Sequence, residues 1–183
     1  MNYDLLILYS GGADSRMLLE LALNSKNAPY CLLIDYGQLH KEELNFAAQQ
    51  LQELNIDYQI VKIVDLKVNS GLTGDGVKNA SNDVHEMHVP SRNLIFTGIA
   101  ASIAESKNIK KIWYGADFSD FINKFPDCMH EWVYRVNQVL EINGPFPISF
   151  EAPLLGFSKE LVLDCLKKFG VKEDELFSGY GDL

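Results

Sequence analysis

Leu5-Leu6-Ile7-Leu8-Tyr9-Ser10-Gly11-Gly12-Ala13-Asp14-Ser15 is the stretch that decides the fold of this chain. Its first five residues form a short apolar run suited to a buried strand, and an apolar-periodic stretch, Met17 to Leu23, follows its end. Strand, glycine turn and helix start, in that order, direct several backbone N–H groups toward one point at the positive end of a helix. The two glycines let the main chain come close to a phosphate, and Ser10 and Ser15 add hydroxyl donors. The spacing differs from the Walker loop, which is longer and ends in Gly-Lys-Ser/Thr. A turn rich in Gly and Ser also arises without any ligand, so the loop must be weighed with the rest of the chain.

The same alternation continues outward. Tyr30–Ile34 and Tyr58–Ile63 read as strands, Asp14–Asn24 and Lys41–Leu54 as helices. From Val68 to Met87 the composition turns to Asn, Ser, Gly, Asp and Lys, and residues 68–88 are expected to form a mobile loop over the site. Ser91–Lys107 reads as a helix, Ile112–Tyr114 as a short strand, and Cys128–Ile142 as a helix with Trp132, Val133, Val136, Val139 and Leu140 inward. Ile148–Ala152 reads as a fifth strand, and Ser158 caps a helix to Phe169. A β-α-β-α-β start implies right-handed crossovers and a parallel sheet covered on both faces. Ligands of such sheets bind beyond the carboxyl ends of the strands, at the switch in strand order.

At 183 residues the chain is expected to be one domain, residues 1–183. No apolar run approaches the ~18 residues of a membrane span, and Met1-Asn2-Tyr3-Asp4 lacks the basic start of a secretory signal. The three cysteines, Cys31, Cys128 and Cys165, lie far apart without metal-ligand spacing, which suits a reducing cytoplasm. A net charge of −9 argues against direct nucleic-acid binding, though not against a small anion held locally.

Four segments fall at strand ends or helix starts. They are the loop Ser10–Ser15; Asp35-Tyr36-Gly37-Gln38-Leu39-His40-Lys41-Glu42-Glu43; His88-Val89-Pro90-Ser91-Arg92-Asn93; and Gly115-Ala116-Asp117 with Phe125-Pro126-Asp127-Cys128. In order and spacing they resemble the 7-cyano-7-deazaguanine synthase family of the ATP pyrophosphatases. The resemblance runs from Leu5 to about Tyr180 and includes Glu151-Ala152-Pro153-Leu154. It implies an α/β fold of the adenine-nucleotide alpha-hydrolase type, a three-layer sandwich around a mainly parallel five-stranded sheet. It also implies ATP and Mg2+ as cofactors, with 7-carboxy-7-deazaguanine and ammonia as the other small-molecule substrates. In the reaction that the resemblance implies, the carboxylate is adenylated, ammonia displaces AMP to give the amide, and the amide oxygen is adenylated and lost to leave a nitrile. A homodimer is carried over as a weaker expectation.

Residue by residue, the resemblance places Tyr9, Ser10, Gly11, Gly12, Ala13, Asp14 and Ser15 around the phosphates, with Ile34, Asp35 and Tyr36 against adenine. Asp14, Ser15 and Arg92 are the catalytic candidates, and Asp14 is the magnesium candidate. Gln38, Arg92, Asn93, Asp117 and Asp127 are the substrate-binding candidates. A guanidinium clamps phosphate or carboxylate at two points, and a carboxylate accepts from a 2-amino and ring N–H pair. Each has a plainer alternative: a helix-start carboxylate for Asp14, a solvated side chain for Arg92, a local partner for Asn93, loop caps for Asp117 and Asp127. His40, His85, His88 and His130 read as ordinary histidines, Lys41 as a helix-face cation and Cys128 as packing. One departure from the family stands out. Where its members carry Ser-Cys-Tyr and a four-cysteine zinc site, this chain reads Ser178-Gly179-Tyr180, so no zinc is expected. A synthase that stops at the amide, a ligase for another carboxylate and a non-catalytic nucleotide-binding subunit are the alternatives.

Overall fold

The structure, a computed structural model, describes residues 2–38, 41–64, 91–118 and 125–177. The expected loop at 68–88, His40, His85, His88 and the stretch 178–180 lie outside these residues. Five strands, β1 (Leu5–Leu8), β2 (Pro29–Asp35), β3 (Tyr58–Lys62), β4 (Lys111–Trp113) and β5 (Ser149–Glu151), form one sheet in the order β3-β2-β1-β4-β5. Every neighbouring pair is parallel.

Alternation along β1 divides the core. Leu5 and Ile7 face the side covered by helices α1 (Ala13–Asn24), α2 (Lys41–Glu53) and α5 (Lys159–Lys168), where Met17, Leu18, Ala47, Leu51, Val162 and Leu166 are buried. Leu6 faces α3 (Arg92–Ser106) and α4 (His130–Asn143), against Ala100, Ala104, Val136 and Leu140. A strand with both faces covered needs an unbroken apolar run, which is why Leu-Leu-Ile-Leu works at the centre.

The strand order fixes where a ligand can go. From β1 the chain winds outward through β2 and β3, then crosses to pair β4 on the other side of β1, with Leu6 opposite Ile112 and Ile7 opposite Trp113. The connections leaving β1 and β4 therefore depart in opposite directions and open a crevice between them.

Local details differ from the sequence reading between β4 and β5. Pro126–Cys128 forms a 3-10 turn, with Pro126 at its first position, and α4 starts only at His130. Val139, expected inward, is 59% exposed, because the buried line of α4 runs through Val136 and Leu140 and leaves it on the outer flank. Ser158 caps α5 as expected, its hydroxyl accepting from the Leu161 N–H at 3.3 Å.

Candidate active site

Glycine is required once in each of the two turns that flank the crevice. Gly11 has φ +85°, in the left-handed region, and a Cβ there would stand 3.0 Å from Ala47 Cβ of α2. Across the crevice, a Cβ on Gly115 would lie 3.3 Å from Asp14 Cβ and 3.4 Å from Ser15 N. The turns after β1 and β4 thus touch through a residue without a side chain.

Ser15 holds the first loop in shape. Its Oγ accepts from the N–H groups of Ser10 and Gly11, both at 3.2 Å, and donates to the Gly12 carbonyl at 3.1 Å. The two serine hydroxyls lie 3.3 Å apart. The first intrahelical bond of α1 runs from Arg16 N–H to Gly12. The N–H groups of Ala13, Asp14 and Ser15 precede it and have no intrahelical acceptor, the condition in which a helix start receives an anion.

Beside those amides stands a cluster of three charges. Lys159 Nζ, from the first residue of α5, is 2.6 Å from Asp14 Oδ2 and 3.4 Å from Asp117 Oδ2. Asp117 is 1% exposed, so the carboxylate expected at the substrate's base edge sits instead against the loop acid and its lysine. Burial raises the pKa of Asp14, and Asp117 raises it further, while Lys159 opposes both. For Lys159, burial acts downward, but the two carboxylates outweigh it and the pKa stands above the ordinary lysine value. Asp14 Oδ1 is buried and has no hydrogen-bond partner among the described residues.

That orphaned oxygen, with Asp117 beside it, fits Mg2+. Magnesium takes oxygen ligands, and in nucleotide sites the protein supplies only one or two carboxylates while phosphates and water complete the shell. Among the described residues no group of three or more His, Cys, Asp or Glu side chains comes together, so no all-protein cage is built from them.

The second half of the site lies on the other side of β1. Arg92, the first residue of α3, reaches Tyr36 at the end of β2, with Nη1 3.5 Å from the hydroxyl and Cζ 5.8 Å from the ring centroid. Asn93 Nδ2 donates to Asp127 Oδ2 at 2.7 Å and to the Tyr114 hydroxyl at 2.9 Å. The structure therefore brings Asn93 and Asp127 together, and Asn93 bonds to side chains distant in sequence where a local backbone partner was the plain alternative. Cys128 is buried with Sγ 3.3 Å from the same hydroxyl. Tyr114 immediately precedes Gly115, so this network shares a turn with the contacts to the Ser10–Ser15 loop.

Other expected residues serve the turn after β2. The Asp35 carbonyl accepts from Ile63 N–H at 2.7 Å and its side chain from Gly37 N–H at 3.1 Å. Gln38, expected at the substrate, is buried and its Oε1 accepts the Tyr36 N–H at 3.0 Å. Ile34 is buried in the core, and the Tyr9 hydroxyl donates to Gln50 Oε1 at 2.8 Å, under the loop.

Two residues escaped the sequence reading. Lys159 follows a capping serine and occupies a helix start, where the dipole disfavours a cation. That misplacement was the available signal. Gln50 is 6% exposed on the apolar face of α2 between Ala47 and Leu51, a buried amide in need of partners.

Known proteins resemble this chain in sequence and in fold. A family model described as queuosine biosynthesis protein QueC matches residues 4–182. A 7-cyano-7-deazaguanine synthase of Alteromonas mediterranea is 33% identical over 173 residues, 89% of this chain and 78% of that protein. One from Picrophilus torridus is 35% identical over 188 residues, 94% of this chain and 77% of that protein. The solved U34-tRNA thiolase NcsA of Methanococcus maripaludis, with its [4Fe-4S] cluster, superposes with a TM-score of 0.65 at 15% identity, covering 100% of this chain and 61% of that one. At that identity the likeness concerns the fold alone. It agrees with the sandwich read from the sequence. Among the described residues, no helix is long and apolar enough to cross a membrane.

Proposed function

The chain belongs to the family of queuosine biosynthesis protein QueC, and on that premise we propose that it is an ATP-dependent carbon–nitrogen ligase making 7-cyano-7-deazaguanine from 7-carboxy-7-deazaguanine and ammonia. The observation that carries the proposal is the meeting of the α1 amides with Asp14, Asp117 and Lys159 in the crevice between β1 and β4.

The triphosphate lies against the N–H groups of Ala13, Asp14 and Ser15, where the helix dipole favours negative charge. A carboxylate oxygen is a poor leaving group. In the first step it attacks the α-phosphorus, the bond to the bridging oxygen breaks, and pyrophosphate departs with the electron pair. Magnesium, when bound at Asp14 and Asp117, supplies neutralisation of the triphosphate charge. Lys159 lies within reach of the same phosphates and adds a fixed positive charge where the departing group develops negative charge. Ammonia then attacks the acyl carbon and AMP leaves with the carboxylate oxygen, giving the amide after proton loss. In the second round the amide oxygen attacks the α-phosphorus of another ATP. Loss of AMP together with the remaining N–H protons leaves the nitrile. Arg92, held at Tyr36, pairs with the substrate carboxylate or an α-phosphate oxygen. Asn93 and Asp127 offer a preformed donor–acceptor pair to the base. Cys31, Cys128 and Cys165 fall in β2, in the turn before α4, and in α5, so these three do not form a common metal site.

Mass spectrometry of the products from 7-carboxy-7-deazaguanine, ammonia and Mg-ATP tests the proposal. Nitrile with AMP and pyrophosphate is the expected result. Amide alone assigns the chain to a shorter reaction, and no AMP with any substrate overturns the enzyme reading.

A further inference from the structure

The peptide that joins Gly11 to Gly12 is free to rotate by its own chemistry, since neither flanking residue has a side chain to restrict it. Its orientation nevertheless matters. In a planar trans peptide the carbonyl and the next N–H point opposite ways, so the direction of the Gly11 oxygen decides where the Gly12 N–H points. In the structure the Gly11 oxygen accepts from the Phe177 N–H at 3.2 Å. The Gly12 N–H consequently points away from Phe177, toward Ser10 Oγ at a loose 3.4 Å.

Phe177 belongs to a segment that is itself tied down. Val171 is buried and its N–H bonds to Leu166 of α5. Lys172 N–H donates to Glu175 Oε2 at 3.0 Å, capping a 3-10 turn, and Leu176 packs against the α1 side of the core. The Phe177 ring meets Phe46 of α2, centroids 5.8 Å apart. Gln50 completes the tie. Its Nε2 donates to the Glu175 carbonyl while its Oε1 accepts the Tyr9 hydroxyl. One buried amide therefore joins the strand that launches the phosphate loop to the segment that holds the loop's first peptide.

We propose that Val171–Phe177 is a latch for the phosphate loop, with the Phe177 N–H and Gln50 as positioning groups that turn the Gly12 amide toward a nucleotide phosphate. The latch rests on the reading of the loop as the ATP site. With the latch in place the amide is preset, and with it lost the peptide must be ordered at the moment of binding.

Phe177→Pro removes the N–H, whereas Phe177→Leu keeps it along with apolar contact to Phe46. Calorimetric titration with Mg-ATP is expected to give about tenfold weaker binding for F177P, the loss of one hydrogen bond to a charged group, and a change within about twofold for F177L. The KM for ATP follows the same tenfold rise while kcat stays within about twofold, a split that general loosening of the fold would not produce. F177P that binds like the wild type, or F177L weakened as much as F177P, overturns the latch. If F177P does not fold, Gln50→Leu decides: weaker ATP binding upholds the latch and unchanged binding overturns it. Hydrogen exchange at the Gly12 amide needs no nucleotide and is expected to quicken about tenfold in F177P. A wild type that takes up no ATP, with this exchange still altered, would therefore sink the site assignment and leave the latch standing.

Discussion

The two halves of the candidate site are built on different principles. Around Ser10–Ser15 and Gly115 the loop presents backbone amides beside one charged cluster, Asp14, Asp117 and Lys159, and its other side chains either vanish, as at Gly11 and Gly115, or stay inside the loop, as at Ser15. Around Tyr36, Arg92, Asn93 and Asp127 the working groups are side chains, already paired with one another across three elements. On the proposed reading a rigid backbone cradle serves the phosphates, which are the same in every ATP. A base and its carboxylate need shape and pattern, which side chains supply. If that division holds, substitutions in the first half should act on nucleotide handling and those in the second on substrate choice.

The largest effect is expected from Asp14→Asn, which removes the carboxylate facing Lys159 and the metal position. kcat/KM for ATP-driven turnover should fall about 10²- to 10³-fold, as for loss of a major electrostatic group. Steady-state pyrophosphate release measures it, and retention of a tenth of the activity would break the comparison at its strongest point. Gly115→Val comes next. Its Cβ would press on Asp14 at 3.3 Å, and the branched side chain adds bulk. Denaturant unfolding should show a loss of about 1–3 kcal/mol, along with weakened ATP binding. Lys159→Met should lower kcat by roughly ten- to a hundredfold with a smaller change in KM for the deazaguanine. A change confined to KM would move Lys159 from the reacting phosphates to binding.

Asn93→Leu sharpens the contrast from the other side. It cuts the bonds to Asp127 and Tyr114, each worth about 1 kcal/mol. The KM for 7-carboxy-7-deazaguanine should rise several-fold while ATP affinity by calorimetry stays put. Equal damage to both ligands would mean that the halves are not separable. The smallest effect belongs to Ser158→Ala, which removes the cap of α5 next to Lys159. A stability loss of about 1 kcal/mol is expected from the melting midpoint, with turnover nearly intact.

The strand, glycine turn and helix start at Leu5–Ser15 were legible in the sequence because their signal is local: an apolar run, glycines, and a helix pattern within fifteen residues. The parallel sheet followed from the same alternation. The position of Asp117 was not legible, since only the β1–β4 adjacency brings it to Asp14, and that adjacency is a matter of strand order, not of local pattern. Lys159 was hidden for a related reason. A lysine after Ser158 reads as a surface residue until α5 is seen lying beside α1. Val139 was misread because inward and outward positions on one helical flank differ by a single residue.

The pairing of residue 6 with residue 112 bears on how the protein comes to exist. Contacts between distant parts of a chain carry a loop-closure cost and tend to form late. The crevice, lined by the exits of both strands, is thus among the last features to assemble, while the first three strands and their helices can organise from neighbours. Anything that lodges there recognises only chains that have finished folding and shifts the equilibrium toward them. If the proposed substrates lodge there, their abundance would help to set how much of this polypeptide stays folded, independently of how fast it works.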